Sequence, residues 1–257
     1  MIADVNGIEL HYDVSGHGEP LLWLHGFLGC GSDWRFVFPQ PPPGIRIVAP
    51  DLRGHGRSSS SGEAFSFRQA ARDVGELLRE LGLVRIKAIG VSGGGIVLLH
   101  LSTSDPSIVA AQVLVSAPPY FPEQARAIQR QTSEAMLGEA MMAHMRNSHV
   151  GGDGQIQTLL AQSRALADVY DDVNFTPPYL STITADTLVV FGDSDPLYPV
   201  SLAFELHAAI PRSRLWVVPG GGHAPVFGEH APRFAETALG FLMRPAPATS
   251  GLAATAG

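Results

Sequence analysis

The chain has a single cysteine, Cys30, among its 257 residues. No intrachain disulfide can form, and Cys-rich zinc motifs are excluded. Charge is also scarce, at 16% of the chain, which excludes a coiled coil. Cations are outnumbered, with 17 Lys and Arg against 24 Asp and Glu, and no basic block offers a row of charges to phosphates. Nucleic acid is therefore not an expected partner. The uncharged stretches 88–104 and 106–122 are broken by Gly or Pro and are too short to span a bilayer. They read as core, and no membrane span is expected. The opening Met1-Ile2-Ala3-Asp4-Val5-Asn6-Gly7 has neither a basic leader region nor a long apolar run, so a cytoplasmic protein is expected. No His-x-His or His-Glu-x-x-His cluster occurs, and neither a metal nor a cofactor is expected.

What is abundant is apolar residues, at 45%, together with 28 glycines and 20 prolines. That mixture points to a buried sheet with many tight turns. Short apolar runs bounded by turn residues recur at 21–24, 45–49, 86–91, 112–115, 187–191 and 215–218, as strands buried on both faces require. Between them lie helical periods. The clearest sets Phe67, Ala70, Ala71, Val74, Leu77, Leu78 and Leu81 against Arg68, Arg72, Glu76 and Arg79. Another spaces Phe234, Ala238 and Leu242 four apart after Pro232, which suits a first helical turn. Strands alternating with helices predict an α/β fold with a mostly parallel sheet and helices on both faces.

The alternation stops over 118–184, where helix formers dominate, and an inserted helical cap is expected there. Residues 1–117 and 185–244 would form the core. The cap holds four of the six methionines, Met136, Met141, Met142 and Met145, residues that fill irregular gaps in a core or line a deformable apolar pocket. Gly151-Gly152-Asp153-Gly154 reads as a turn or hinge. The tail 245–257 has few large apolar groups and is expected to be disordered.

Gly90-Val91-Ser92-Gly93-Gly94 fits the G-x-S-x-G turn that exposes a serine between a strand and a helix. Alone this is a weak signal, because a Gly-rich chain produces it readily by chance. Its setting strengthens it: 87–91 reads as a buried strand and 96–101 as a helix. A serine hydroxyl needs an imidazole to accept its proton and a carboxylate to orient that imidazole. Gly220-Gly221-Gly222-His223-Ala224-Pro225 follows the last apolar run and presents His223 as the base. His11, His17, His207 and His230 are expected at the surface, while His100, His144 and His149 carry no assignment. Phe191-Gly192-Asp193-Ser194-Asp195-Pro196 closes the preceding strand, where two carboxylates, Asp193 and Asp195, compete for the orienting role.

Together these segments resemble the α/β-hydrolase superfamily, in its serine-nucleophile, esterase-like branch, over residues 8 to 243. Leu24-His25-Gly26-Phe27-Leu28-Gly29 is similar to the family's His-Gly loop, and Asp51-Leu52-Arg53-Gly54-His55-Gly56-Arg57-Ser58 to its turn after the fourth strand. The resemblance implies the α/β-hydrolase fold and the order Ser92, Asp195, His223 for the catalytic groups, with Asp193 left to a turn hydrogen bond. It also assigns the oxyanion-hole N–H groups to Phe27 and Gly93. Asp51, Arg53 and His55 read as structural, and Cys30 as an apolar filler. Gly93 departs from the bulky residue common in the superfamily, and this is expected to free space beside the oxyanion hole. Ser92 argues against the aspartate-nucleophile epoxide hydrolases and haloalkane dehalogenases.

The expected activity is hydrolysis of a small, apolar carboxylic ester through an acyl-enzyme on Ser92. Alternatives with the same three residues are carbon–carbon hydrolysis, perhydrolysis, or an elimination like that of the small menaquinone synthases. Segment 25–34, with Gly29, Gly31 and Trp34, is similar to those synthases. That elimination would need cap arginines, for which Arg126, Arg130, Arg146 and Arg164 are available. A further alternative is a ligand-binding protein that keeps the fold without turnover. The sequence carries no signal for an oligomeric state.

Overall fold

The computed structural model describes residues 1–244; the tail expected to be disordered lies outside the described residues. Eight strands form one sheet: β1 (Ile2–Val5), β2 (Ile8–Gly16), β3 (Glu19–Leu24), β4 (Ile45–Pro50), β5 (Ile86–Val91), β6 (Val109–Val115), β7 (Asp186–Gly192) and β8 (Ser213–Val218). Their spatial order is β1-β2-β4-β3-β5-β6-β7-β8. β2 pairs antiparallel with both β1 and β4, and every other pairing is parallel. The six apolar runs are β3 to β8, but β8 is not buried on both faces as expected: at the sheet edge it is mostly half-buried. β1 and β2 escape a search for apolar runs because only one of their faces is covered: Ile8, Leu10 and Tyr12 are buried while Glu9 is exposed.

Among the described residues there are eight α-helices: α1 (Phe67–Glu80), α2 (Gly93–Ser104), α3 (Glu123–Arg130), α4 (Glu134–Ser148), α5 (Gly152–Ala165), α6 (Pro177–Leu180), α7 (Val200–Ala209) and α8 (Ala231–Leu242). Successive strand residues point to opposite faces, so the two-sided burial of β3 sends Leu22 and Leu24 into one core and Leu21 and Trp23 into the other. The first core packs under α1, α2 and α7, the second under α8 and the 3-10 turn Gly31–Phe36. The predicted face of α1 is buried from Phe67 to Leu78, and Leu81 becomes its half-buried C-cap. Phe234, Ala238 and Leu242 of α8 are buried as the spacing requires.

Between β6 and β7 the chain leaves the sheet and builds α3 to α6 over its carboxyl edge. The glycine cluster at 151–154 is a turn only in its first half, since Gly152 already starts α5. The kink lies instead inside α4, at Gly138, with φ of 76°. The methionines divide: Met142 and Met145 are buried with Leu28, Ile156, Leu159 and Leu160, whereas Met136 and Met141 line a cavity.

Asp73, fully buried on the inner face of α1, receives two hydrogen bonds from Arg53, at 2.7 and 2.9 Å, and one from Asn6 at 3.0 Å. The pair clamps the turn after β4 to α1. A buried ion pair that loses one partner leaves an uncompensated charge in low dielectric. Arg53→Ala is accordingly expected to lose about 3–5 kcal/mol of stability in urea unfolding, whereas Arg53→Met with Asp73→Leu recovers most of it. A loss below about 1 kcal/mol in the single variant would show that Asp73 finds solvent instead.

Candidate active site

Four strand ends deliver the groups named from the sequence to one place. β5 ends in Ser92, whose φ of 50° and ψ of −113° make a sharp, strained turn into α2. The turn closes only because the backbone beyond it packs against β3, where a Cβ on Gly94 would overlap the carbonyl oxygen of Leu24. β8 leads into Gly220-Gly221-Gly222 and then His223. β7 leads into Asp193 and Asp195.

Ser92, His223 and Asp195 form a continuous chain of contacts. His223 Nε2 lies 2.9 Å from Ser92 Oγ, and Nδ1 lies 2.9 Å from Asp195 Oδ2. The second carboxylate oxygen of Asp195 accepts from the N–H groups of Leu197 and Tyr198 at 2.8 and 3.1 Å. Burial alone would raise the Asp195 carboxyl, but the His223 hydrogen bond and charge, with the two backbone N–H groups, outweigh it and hold its pKa below the ordinary value. The carboxylate thus stays ionised and acceptor-only, which fixes a proton on His223 Nδ1 and leaves Nε2 to accept from the serine hydroxyl. Asp193 has the turn role: its Oδ1 accepts from Gly220 N–H at 2.8 Å and from Ser194.

The backbone N–H of Phe27 stands beside that of Gly93, since a Cβ on Gly93 would lie 3.0 Å from Phe27 N. Among the described residues neither N–H has a hydrogen-bond partner. The same Cβ would lie 3.1 Å from the Phe67 ring. This corrects the expectation of free space at Gly93: Phe27 and Phe67 have closed in, and the glycine permits that approach.

One positioning contact has no signal in the sequence. Ser116, after β6, has φ of 45°, donates its N–H to Val190 and accepts at Oγ from Ala224 N–H at 3.1 Å. It ties the residue after His223 to the sheet. Asp51, Arg53 and His55 stand away from Ser92 in the turn they were expected to hold. Asp51 accepts from Gly31 N–H and from both the backbone and side chain of Arg57, and His55 is fully buried with Nδ1 on the Arg53 carbonyl. Gln155 of α5 donates to the Gly54 and Gly56 carbonyls, docking the helices above on that turn.

Two cavities open onto Ser92 and His223. One, about 240 Å³, is walled by Phe27, Leu28, Phe67, Ile96, Phe121 and Leu137 among others. The other, about 590 Å³, is walled by Phe36, Met141, Ala224, Phe227, Asp33 and His144 among others. None of the four cap arginines lines either cavity. Arg126 is buried against the carbonyls of Phe121, Ala167 and Val169; Arg130 pairs with Glu123 and Asp168, Arg146 with Glu134 and Asp153, and Arg164 holds the Thr132 carbonyl. The basis for a polyanion-eliminating synthase is thereby removed.

Of the histidines expected at the surface, His17 and His207 are exposed and His230 is half-buried. His11 is also half-buried, with Nδ1 3.5 Å from Asp51. Cys30 is buried, and desolvation with the neighbouring Asp33 charge pushes its thiol up to about 11, consistent with an unreactive filler. Cys30, Asp33 and His144 are the one group of three among the described residues close enough to share a metal ion. The hydrogen bonds within it account for its spacing: Cys30 donates to Asp33 from N at 3.0 Å and from Sγ at 3.3 Å.

A family model described as the alpha/beta hydrolase fold matches residues 19–147. Serine hydrolase BPHL of Mus musculus is 30% identical over 241 residues, 85% of this chain and 78% of that protein. Soluble epoxide hydrolase of Corynebacterium sp. (strain C12) is 36% identical over 107 residues, 42% of this chain and 37% of that protein. The structure of meta-cleavage product hydrolase from Pseudomonas fluorescens IP01 superposes with a TM-score of 0.76 at 18% identity, covering 94% of this chain and 96% of that one. Among the described residues, no helix is long and apolar enough to cross a membrane.

Three buried histidines away from Ser92 are expected to make stability depend on pH. Burial, the leading cause in each case, lowers the pKa of His55, His100 and His149 from the ordinary 6.5. Above that value they are neutral in both folded and unfolded chains. As pH falls below it, the unfolded chain takes up protons that the folded one refuses, so stability falls toward acid. Each group contributes a slope of at most about 1.4 kcal/mol per pH unit. Thermal unfolding midpoints are expected to drop between about pH 7.5 and pH 5.5, and His149→Gln to flatten that drop. A midpoint constant over this range would contradict the assignment.

Proposed function

The chain belongs to the α/β-hydrolase family, and we propose that it is a cofactor-independent serine hydrolase that cleaves carboxylic esters. The observation that carries this reading is the pair of 2.9 Å contacts linking Ser92 to His223 and His223 to Asp195. Ser92 Oγ attacks the ester carbonyl carbon while His223 Nε2 takes its proton. The charge that develops on the carbonyl oxygen falls to the N–H groups of Phe27 and Gly93, a role supported by their having no other hydrogen-bond partner among the described residues. Collapse of the tetrahedral intermediate breaks the carbon–oxygen bond, and His223 returns the proton to the departing alcohol. Water, deprotonated by His223, then attacks the acyl-enzyme and releases the acid. Asp195 remains ionised throughout and orients the imidazole.

The two cavities give the substrate two arms. The smaller, apolar one suits the acyl portion, enclosed beneath the cap helices. The larger one is walled by Ala224 and Phe227, from the segment just after the imidazole that protonates the leaving oxygen, and suits the alcohol portion. Neither has an Arg or Lys in its wall, in keeping with an uncharged ester bond in an apolar setting.

Ser92→Ala is expected to abolish turnover of p-nitrophenyl acyl esters, and a fluorophosphonate probe to add to Ser92 of the wild type, read by intact mass. Near-wild-type hydrolysis by the variant would end the proposal. An unlabelled serine in the wild type would favour the alternative of a binding protein without turnover. Asp195→Asn, which leaves the imidazole without its anionic partner, is expected to reduce kcat by about 10⁴ while folding normally.

A further inference from the structure

The larger cavity contains a second imidazole–carboxylate pair that the proposed reaction does not use. His144, on α4, places Nε2 3.1 Å from Asp33 Oδ1 across the seam between cap and core. Asp33 is committed where it stands, because its oxygens also receive the N–H and Sγ of Cys30 and so cap the 3-10 turn Gly31–Phe36 in which it lies. His144 is not. A quarter of its side chain, 25%, is exposed, and Nδ1 has no hydrogen-bond partner among the described residues. With one ring nitrogen held by an anion, the other is free on the one polar side chain that the cap contributes to this wall.

Three further features define what could meet that atom. The hydrogen bond to Asp33 outweighs burial and raises the pKa of His144, so the ring keeps both protons to higher pH than a free imidazole and Nδ1 is then a donor. No Arg or Lys lines the cavity, and the nearby Arg146 is engaged by Glu134 and Asp153. Next to His144 stand two aromatic rings: Phe36 meets it edge-on at 5.5 Å, and Phe227 meets Phe36 edge-on at 6.3 Å. An aromatic ring in the substrate would find edges and faces to pack on here, with a cationic donor at one side.

We propose that His144 is a specificity-determining residue, donating from Nδ1 to an oxygen acceptor on an aromatic alcohol portion that lies against Phe36 and Phe227. The preferred substrates are thus aryl esters whose leaving group carries a carboxylate or carbonyl oxygen. This inference rests on the esterase reading, and it adds to it the chemistry of the leaving group.

The test compares three acetate esters of phenols similar in size, bearing a para carboxylate, a para acetyl group or a para ethyl group. Each is assayed with wild type, His144→Phe and His144→Gln, so that differences in leaving-group reactivity cancel in the variant-to-wild-type ratio. His144→Phe is expected to raise KM about 10-fold or more for the carboxylate and acetyl esters, the range for a hydrogen bond to a charged group. It should change the ethyl ester by less than about 2-fold and leave kcat for all three nearly unaltered. His144→Gln, which keeps an N–H donor, should recover part of the loss for the acetyl ester. The rate at which a fluorophosphonate labels Ser92 should match wild type in both variants, showing the nucleophile and fold intact.

Equal losses on all three esters would mean that His144 only supports the cap, and no loss on any would mean that the ring does not touch the substrate. Either outcome overturns this inference while wild-type ester turnover leaves the esterase reading standing. A wild type inert toward every ester, p-nitrophenyl esters included, would overturn both.

Discussion

The closeness of two backbones at the end of β5 governs everything built above the sheet. Gly94 lies so near the Leu24 carbonyl that no Cβ can enter, and this contact lets the chain reverse from strand to helix within a residue. The reversal holds Ser92 at φ of 50°, a conformation costly for a residue with a side chain and retained only because packing on both sides determines it. The serine hydroxyl is consequently lifted clear of the sheet. The same compression sets the Gly93 N–H beside that of Phe27, so the site that would stabilise an oxyanion and the turn that would present the nucleophile have one structural cause.

Buried charge is handled consistently across the molecule. Asp73 meets Arg53, Asp51 meets Arg57 and two backbone N–H groups, and Asp195 meets His223 with two N–H groups. In each case a carboxylate brings together segments far apart in sequence, and each would be destabilising if its partners were removed. Asp195 differs in that its partner is an imidazole whose other nitrogen reaches the serine. That difference turns a structural device into one that can move a proton.

The helices over the carboxyl edge convert this arrangement into a site with shape. They rest on the 52–57 turn through Gln155, place Met136 and Met141 in the cavity wall, and bring His144 to Asp33. Their arginines are spent on carbonyls and surface carboxylates, so the cap supplies mostly apolar surface, a few uncharged polar groups such as Gln129 and Thr132, and one imidazole rather than an arginine-lined pocket. The cavities on either side of Ser92 therefore differ in chemistry as well as in size.

Local pattern carried much of this protein. Five buried strands and the apolar edge strand β8, the amphipathic faces of α1 and α8, and the candidate nucleophile, base and acid were all legible, because burial and strained turns restrict residue type at the position itself. β1 and β2 were less visible, since a sheet edge covered on one face needs only alternation, and Ser116 gave no signal because its role depends on Ala224 across the sheet. Sequence could name Gly93 as small but not say that Phe67 fills the space beside it, nor that His11 leaves solvent for Asp51. It could count the cap arginines without showing where their charge is spent. Residue chemistry and short-range order fixed the scaffold and its reactive groups; the pairing of His144 with Asp33 and the form of the two cavities arose only when distant segments packed, because such contacts depend on three-dimensional register that no single stretch of chain encodes.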